Sequence, residues 1–414
     1  MSFANKRHIM FMIVAIITII LPFITTSDGS HIILLSFMDW EFHFLGIVFT
    51  VQELHMMPFL IMFLFVGLFA ITSLFGRLWC GWVCPQTILR YVFRDLIQTK
   101  LLSLRKNIAN KQKEPDYSIL SNKIKYCLSY VIFFFVASGV AVNFMLYFVP
   151  YDYFFEHILD FENHKTLIVF TMFFICIVVA LPSILKENFC IYICPYARVQ
   201  SILYDKHTFT AVYSSTRGGK IYEDDKQVVF SKKDFSANEE CVACNKCVRV
   251  CPTGIDIRKG LQIECIECLE CVDACDGVMS AMNKKSLISW SSESQINQNK
   301  NTSIFRSKTI AYILAILVII GLLVFNTQDK ENFQLNINRT SQLYSIKNDK
   351  IKNAYVFLFQ NTSNQEQTYY FKVDNPNIKI IRPKKAFTLK AKAKVKKIVA
   401  LEMDKQSSKK NHTL

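Results

Sequence analysis

Eight of the chain's fourteen cysteines stand in two runs: Cys241, Cys244, Cys247 and Cys251, followed by Pro252, and then Cys265, Cys268, Cys271 and Cys275. Each run has the spacing C-x2-C-x2-C-x3-C. Two such runs in tandem are the bacterial two-cluster pattern, in which the fourth cysteine of each run ligates the other cluster. One [4Fe-4S] cluster is therefore expected on Cys241, Cys244, Cys247 and Cys275, and a second on Cys265, Cys268, Cys271 and Cys251. Tight loops of this kind also turn backbone N–H groups toward the anionic sulfurs. Structural zinc asks for one four-ligand set built from separated pairs, which two runs of four do not match. Asp276 stands where a second closing proline would be, so the backbone turn after Cys275 is the open point of the pattern.

Four more cysteines form two C-x3-C-P motifs, Cys80 and Cys84 before Pro85, and Cys190 and Cys194 before Pro195, offset from one another by the same 110 residues. Each motif follows an apolar run, which reads as an internal duplication with both thiol pairs at one membrane boundary. Proline suits the first position of a helix, so Cys84 and Cys194 are expected as N-caps, a position that lowers a thiol pKa. Four converging thiolates make a soft site suited to copper as Cu(I), to a third iron–sulfur centre or to a redox-active thiol pair. Arg77, Arg90, Arg94 and Arg198 flank the motifs, and they suit thiolate charge, lipid headgroups or plain anchoring equally. Cys127 and Cys176 lie singly in or at apolar runs and read as packing residues. His31, Met38, His43, His55, Met56 and Met57 offer a second copper site, but without fixed ligand spacing interfacial packing is the favoured reading.

The elements that must position these residues are membrane spans. The chain has 414 residues, 51% hydrophobic and only 20% charged, which excludes disorder, collagen-like fibres and small disulfide scaffolds. Five runs approach the roughly 20 apolar residues a bilayer asks for: about Ile9 to Thr26, Pro58 to Gly76, Cys127 to Phe148, Thr166 to Leu185 and Thr309 to Phe325. The first lacks a small-x-small cleavage site and reads as a retained helix. His31 to Thr50 carries Asp39, Glu41 and His43 in its middle and reads as an interfacial loop.

Charge orients the spans. Residues 77–125 hold ten Lys/Arg against three acids, whereas residues 28–56 hold no Lys/Arg and residues 149–165 only Lys165. The positive-inside rule then predicts a cytoplasmic N-terminus (1–8), a four-helix membrane domain (9–185), a cytoplasmic region (186–308) containing the two-cluster domain at about 236–284, a fifth span (309–325) and an extracytoplasmic β-sandwich (326–414). The net charge of +15 is spread over membrane flanks without a recognition module, so nucleic acid is not an expected partner.

Arg77-Leu78-Trp79-Cys80-Gly81-Trp82-Val83-Cys84-Pro85-Gln86-Thr87, the stretch Cys190 to Cys194 with Pro195-Tyr196-Ala197-Arg198-Val199-Gln200, and the run from Cys251-Pro252-Thr253-Gly254 through Cys275-Asp276 resemble the FixG/RdxA/CcoG cytochrome c oxidase accessory proteins. Phe42-His43-Phe44-Leu45-Gly46 adds to the likeness, which covers most of residues 1–325; Ile193 before the second C-P is a departure. The resemblance implies a polyferredoxin of the bacterial inner membrane. Its fold would be a multi-pass α-helical membrane protein with an inserted two-cluster ferredoxin-like domain and a C-terminal all-β, immunoglobulin-like domain. It further implies a role in assembling cbb-type haem–copper oxidases by reducing Cu(II), with the copper or redox role on Cys80, Cys84, Cys190 and Cys194. The expected partners are membrane lipid, a cytoplasmic electron donor, a copper transporter or chaperone and oxidase assembly factors, with a homodimer left open. Two alternatives stand beside it: a quinol-linked membrane ferredoxin of the NapH type, and a non-catalytic oxidase-assembly scaffold. Quinol chemistry asks for a protonatable His, Asp or Glu at the site, and neither C-x3-C-P motif contains one.

Overall fold

The computed structural model describes residues 2–404 except 27–30, 37–40, 45–46, 50–56, 224–225, 230, 232–237, 298–300, 328–332, 340–343, 348–349, 362–364, 374, 376–377 and 391–392. Met38, His55 and Met56 lie outside the described residues. The chain divides into two units, Met1–Gly321 and Leu322–Leu414.

Among the described residues of the first unit, four helices long and apolar enough to cross a membrane are α1 (Phe3–Ile20), α2 (Met57–Phe75), α5 (Leu120–Met145) and α7 (Lys165–Ala180, continued as a π-turn to Leu185). The fifth is Ser307–Thr327. They carry the five apolar runs, but α1 starts ahead of its run. The Ser2 hydroxyl caps its N-terminus, and Arg7, instead of reaching for lipid, is buried against the iron–sulfur region. Packing between α5 and α7 uses small residues, with Ala137 and Ala141 fully buried beside Phe133, as close helix approach in lipid requires. Phe135, Phe173 and Leu317 face outward, which suits lipid and would be costly in water.

Short elements fill the two ends of this bundle. At one end Ile33–Ser36, Glu41–Phe44 and Ile47–Phe49 form a three-stranded antiparallel sheet, so the segment expected as a loop is a small meander. The Leu35 N–H donates to the Tyr147 carbonyl at 2.8 Å, which ties the meander to the end of α5. Its backbone polar groups are thereby paired, as the boundary of a low-dielectric layer demands. Also at this end lies α6 (Tyr151–His157). At the other end are α3 (Leu78–Trp82), α4 (Pro85–Tyr91) and α8 (Pro195–Leu203), which carry or adjoin the C-x3-C-P motifs.

The iron–sulfur region is closed by antiparallel strands Thr210–Tyr213 and Ile288–Ser291. Between them lie helices Lys246–Val250 and Glu270–Met279, packed through Leu269, Val272 and Met279. Cys251 caps the first helix and Pro252 turns the chain away. The second helix runs straight through Cys275 and Asp276. No turn follows Cys275, and a proline there would only remove a helical N–H.

The second unit is all-β by itself. Strands Phe333–Arg339, Lys350–Asn361, Lys394–Asp404 and Ile378–Arg382 form one antiparallel sheet, with Ser345–Lys347 added beside Lys350–Asn361, and Gln367–Tyr369 pairs with Phe387–Leu389 in a second sheet. Phe357, Phe359, Tyr369, Phe371 and Phe387 pack ring against ring, the two-sheet core that alternating strands with aromatic inner faces produce.

Candidate redox site

Tyr213, Cys241, Cys244, Cys247 and Cys275 line one cavity of the iron–sulfur region, and Cys251, Cys265, Cys268 and Cys271 line a second, which Cys247 also reaches. The fourth cysteine of each run has thus crossed to the other run's cavity. All fourteen cysteines are free of disulfides. The two loops share a backbone device. Ala243 and Asn245 flank Cys244 with φ of 50° and 54°, and Glu267 and Leu269 flank Cys268 with φ of 53° and 59°. Left-handed residues alternating with right-handed ones gather N–H groups into an anion-binding nest, and two such nests beside four sulfurs each fit a pair of anionic [4Fe-4S] groups. Among the described residues no three His, Cys, Asp or Glu side chains are spaced to hold a single metal ion as they stand. Burial pushes the Cys247 thiol up to about 12 and Cys268 to about 11, so loading iron must drive their protons off.

The C-x3-C-P motifs share two backbone bonds at equivalent positions, although the first is an α-helix over Leu78–Trp82 and the second a π-helix over Phe189–Ile193. Gly81 N–H donates to Arg77 O and Ile191 N–H to Glu187 O; Cys84 N–H donates to Trp79 O and Cys194 N–H to Phe189 O, each pair 110 residues apart. The last two bonds skip five residues, the π-type turn that recurs at functional sites. Cys84 and Cys194 are the N-caps of α4 and α8, each with proline next. The four sulfurs form one group, since every pair among Cys80, Cys84, Cys190 and Cys194 lies close enough for their charges to interact. Helices from opposite halves hold the group together. Arg77 donates to the Ala197 carbonyl, Gln200 Nε2 to Cys80 Sγ at 3.5 Å, and Gln86 to the Leu181 carbonyl at 3.0 Å.

The acidity of Cys84 differs from the expectation for a helix N-cap. Burial pushes Cys80 and Cys190 up to about 12 and raises Cys84 as well. The amides of Gln86 and Thr87 do favour the Cys84 thiolate, but desolvation outweighs one helix turn. Free, Cys80, Cys84 and Cys190 are protonated thiols at neutral pH, and a bound cation favours their thiolates.

The iron–sulfur region docks on the first motif. Gly81 packs against the Ile266–Glu267 peptide, and a β-carbon at 81 would stand 2.5 Å from the Ile266 oxygen and 2.8 Å from that of Glu267. Trp82 Nε1 donates to the Glu267 carbonyl at 3.2 Å. The Glu267 side chain, 1% exposed, lies on Gly76, whose φ is +58° and whose missing β-carbon leaves the space. Burial pushes this carboxyl up to about 8, against the Arg77 amide and the Tyr204 hydroxyl that favour its charge. Tyr204 in turn feels both Cys265 and Cys80. Neither Glu267 nor Tyr204 is singled out by the sequence. The available signal is an acid inside Cys265-Ile266-Glu267-Cys268, a place where water-facing residues are the usual choice. A buried carboxyl and a tyrosine hydroxyl thus lie next to the first motif, which itself contains no His, Asp or Glu.

Arg77, Arg90 and Arg94 are buried and bind protein, not lipid: Arg90 and Arg94 share Glu187 at 3.1 and 2.7 Å. Arg7 binds the Cys268 carbonyl at 2.6 Å and Glu270 at 2.5 Å, and Lys111 also binds Glu270. Buried guanidinium groups need such complete pairing. Cys127 and Cys176 are exposed on outer helix faces, apart from the four-thiol group. His31 and His43 face each other with ring centroids 6.1 Å apart, and Met57 begins α2.

Residues 185–293 match the family model of a 4Fe-4S dicluster domain, residues 57–103 that of a 4Fe-4S binding domain, and residues 323–414 that of the IG-like fold at the C-terminal of FixG. Nitrogen fixation protein FixG of Rhizobium meliloti is 28% identical over 289 residues, 67% of this chain and 53% of that protein. The matched stretch thus spans about half of that relative's length. Proteins RdxA and RdxB of Cereibacter sphaeroides are 24% and 25% identical, each over 86% of this chain and 77% and 76% of their own lengths. No solved structure matches the chain. With relatives of this kind aligned along most of its length and a FixG-type domain model matching its C-terminal end, the chain is similar to the FixG and Rdx proteins and reads as a membrane-bound iron–sulfur electron-transfer protein.

Proposed function

We propose that the protein is a cupric reductase of the bacterial inner membrane, delivering one electron to each Cu(II) so that Cu(I) reaches the binuclear centre of a cbb-type oxidase under assembly. The observation that carries this reading is the gathering of Cys80, Cys84, Cys190 and Cys194 into one buried thiol group beside the loop of Cys265 and Cys268. The two [4Fe-4S] groups, held by Cys241, Cys244, Cys247 and Cys275 and by Cys251, Cys265, Cys268 and Cys271, supply one-electron carrier chemistry. The chain's own part is to set a soft ligand group against that carrier. Thiolate favours Cu(I) over Cu(II), and a largely dry pocket penalises the more highly charged ion.

Short-loop charges favour the iron–sulfur region in the cytoplasm and the C-terminal unit across the membrane. A cytoplasmic one-electron donor, a copper transporter or chaperone and oxidase assembly factors are the partners this arrangement calls for. The test is Cu(I) formation by chemically reduced protein, followed with a Cu(I)-specific chelator. Replacing Cys80, Cys84, Cys190 and Cys194 together by Ser should abolish it while cluster absorbance stays near wild type; wild-type reduction by that variant sinks the reading.

Two observations favour rival uses of the thiol group. The match of residues 57–103 to a 4Fe-4S binding domain favours a third iron–sulfur centre, which raises the iron content from about eight to about twelve per chain. Glu267 and Tyr204 beside Cys80 favour quinol chemistry, for which they provide protonatable groups. Quinone-dependent redox change in the absence of copper would put that reading first.

A further inference from the structure

Four of the eight histidines lie at the end of the helix bundle opposite the cysteine motifs. His31 and His43 belong to the meander fixed to Tyr147. His157 ends α6, and His164 immediately precedes α7. The second pair is the closer one: the His157 and His164 rings face each other with centroids 4.2 Å apart. Tyr153 holds both, stacked on His157 at 4.1 Å and edge-on to His164 at 5.7 Å.

The Nδ1 atoms of this pair each lie near an oxygen, and that of His157 is hydrogen-bonded to it. His157 Nδ1 lies 2.9 Å from the Tyr153 carbonyl, which can only accept, so this nitrogen carries the proton and Nε2 keeps its lone pair. His164 Nδ1 lies 3.4 Å from a carboxylate oxygen of Asp160 without hydrogen-bond geometry, so the carboxylate faces this nitrogen and leaves Nε2 on the other side of the ring. An imidazole turned by a carbonyl or carboxylate at one nitrogen, with the other left free, is the usual outer-shell setting of a metal-binding histidine. Among the described residues neither Nε2 has a hydrogen-bond partner. Both rings are part-exposed, with the His164 side chain 22% accessible, so an ion has access from water.

We propose that His157 and His164 form a binding site for a borderline divalent transition-metal ion, held by the two Nε2 atoms with water completing the shell. Among the described residues no third protein ligand is spaced to join them, so water completes the shell. Imidazole pairs take Cu(II) more strongly than Zn(II), following the Irving–Williams order. The site is separate from the four thiols by the length of the spanning helices, and it needs no electron transfer.

The test uses full-length protein without an affinity tag, in detergent, with Cys80, Cys84, Cys190 and Cys194 replaced by Ser to remove the competing thiols. Up to one equivalent of Cu(II) is added, and the copper EPR spectrum is read for nitrogen splitting. The expected result is one bound Cu(II) with two-nitrogen coordination, displaced by excess Zn(II). His157→Ala or His164→Ala should weaken binding by about tenfold or more, and Asp160→Asn by less than either. Cluster absorbance in every variant reports that the chain is folded. The proposal is overturned if the parent shows no nitrogen splitting, if the His157/His164 double variant binds Cu(II) as the parent does, or if only His31→Ala and His43→Ala abolish the signal.

Discussion

The α-carbon of Gly81 meets the Ile266–Glu267 peptide at a distance that leaves no room for a side chain, whereas Ile191, its counterpart in the duplicated motif, carries a branched one. The two halves are alike in their backbone bonds and unlike at this position. A single glycine therefore breaks the near-symmetry of the membrane part and selects the half on which the iron–sulfur region docks.

Gly81→Val should separate the docked loop from the motif while sparing every cysteine. Overpacking of this kind costs about 1–3 kcal/mol. Amide hydrogen exchange across residues 265–270 should rise and copper reduction should fall, with cluster absorbance retained; Ile191→Val should change neither. Unchanged exchange in Gly81→Val would show that the contact does not hold the loop.

Cys275→Ala should damage the cluster held by Cys241, Cys244 and Cys247, although Cys275 belongs to the other run. EPR of the reduced protein distinguishes the two clusters. Loss confined to the cluster of Cys265, Cys268 and Cys271 would contradict the crossed cavities.

Gln200 is fully buried and donates to Cys80 Sγ, a bond that favours the thiolate against the burial that raises the pKa to about 12. Alkylation of Cys80 requires the thiolate, so in metal-free protein its rate should climb about tenfold per pH unit between pH 7 and 10. Gln200→Leu should slow it severalfold at any one pH in that range. An equal rate in the variant would mean that the bond does not act on the sulfur.

Asp256 is buried, which opposes its charge, but Arg258 through side chain and backbone, with Tyr222, more than offsets this and holds the carboxyl below its usual 3.8. A depressed folded pKa contributes stability that is complete well above pH 3.8 and is lost as pH falls through the folded value. Asp256→Asn should cost about 1–3 kcal/mol at pH 7, and the difference from wild type should shrink below pH 3.8. A difference that stays constant down to pH 2 would count against the ion pair. Thermal loss of cluster absorbance follows both.

Reporter fusions at Ser291 and after residue 404 should score opposite sides of the membrane, cytoplasmic and extracytoplasmic respectively. The same side for both would remove the Ser307–Thr327 helix as a span.

The spans, the cysteine spacings and the 110-residue repeat were legible in the sequence because each is a local property: hydropathy over one helix length, ligand spacing within one loop, and identity of motif between two segments. The N-cap placement of Cys84 and Cys194 was legible for the same reason, since proline fixes the first helical residue whatever surrounds it. The acidity of Cys84 was not, because burial is a sum over neighbours from both halves, and it reverses the sign expected from the cap. Nor could the sequence pair Gly81 with Ile266 or Glu267 with Gly76 and Tyr204, residues 63 or more positions apart. The meeting of His157 with His164 depends likewise on the fold of the connection between α5 and α7. Ligand identity follows from chain chemistry, but proton affinity, docking and the neighbours of a buried carboxyl depend on which distant surfaces exclude water, and that is decided only when the chain has packed.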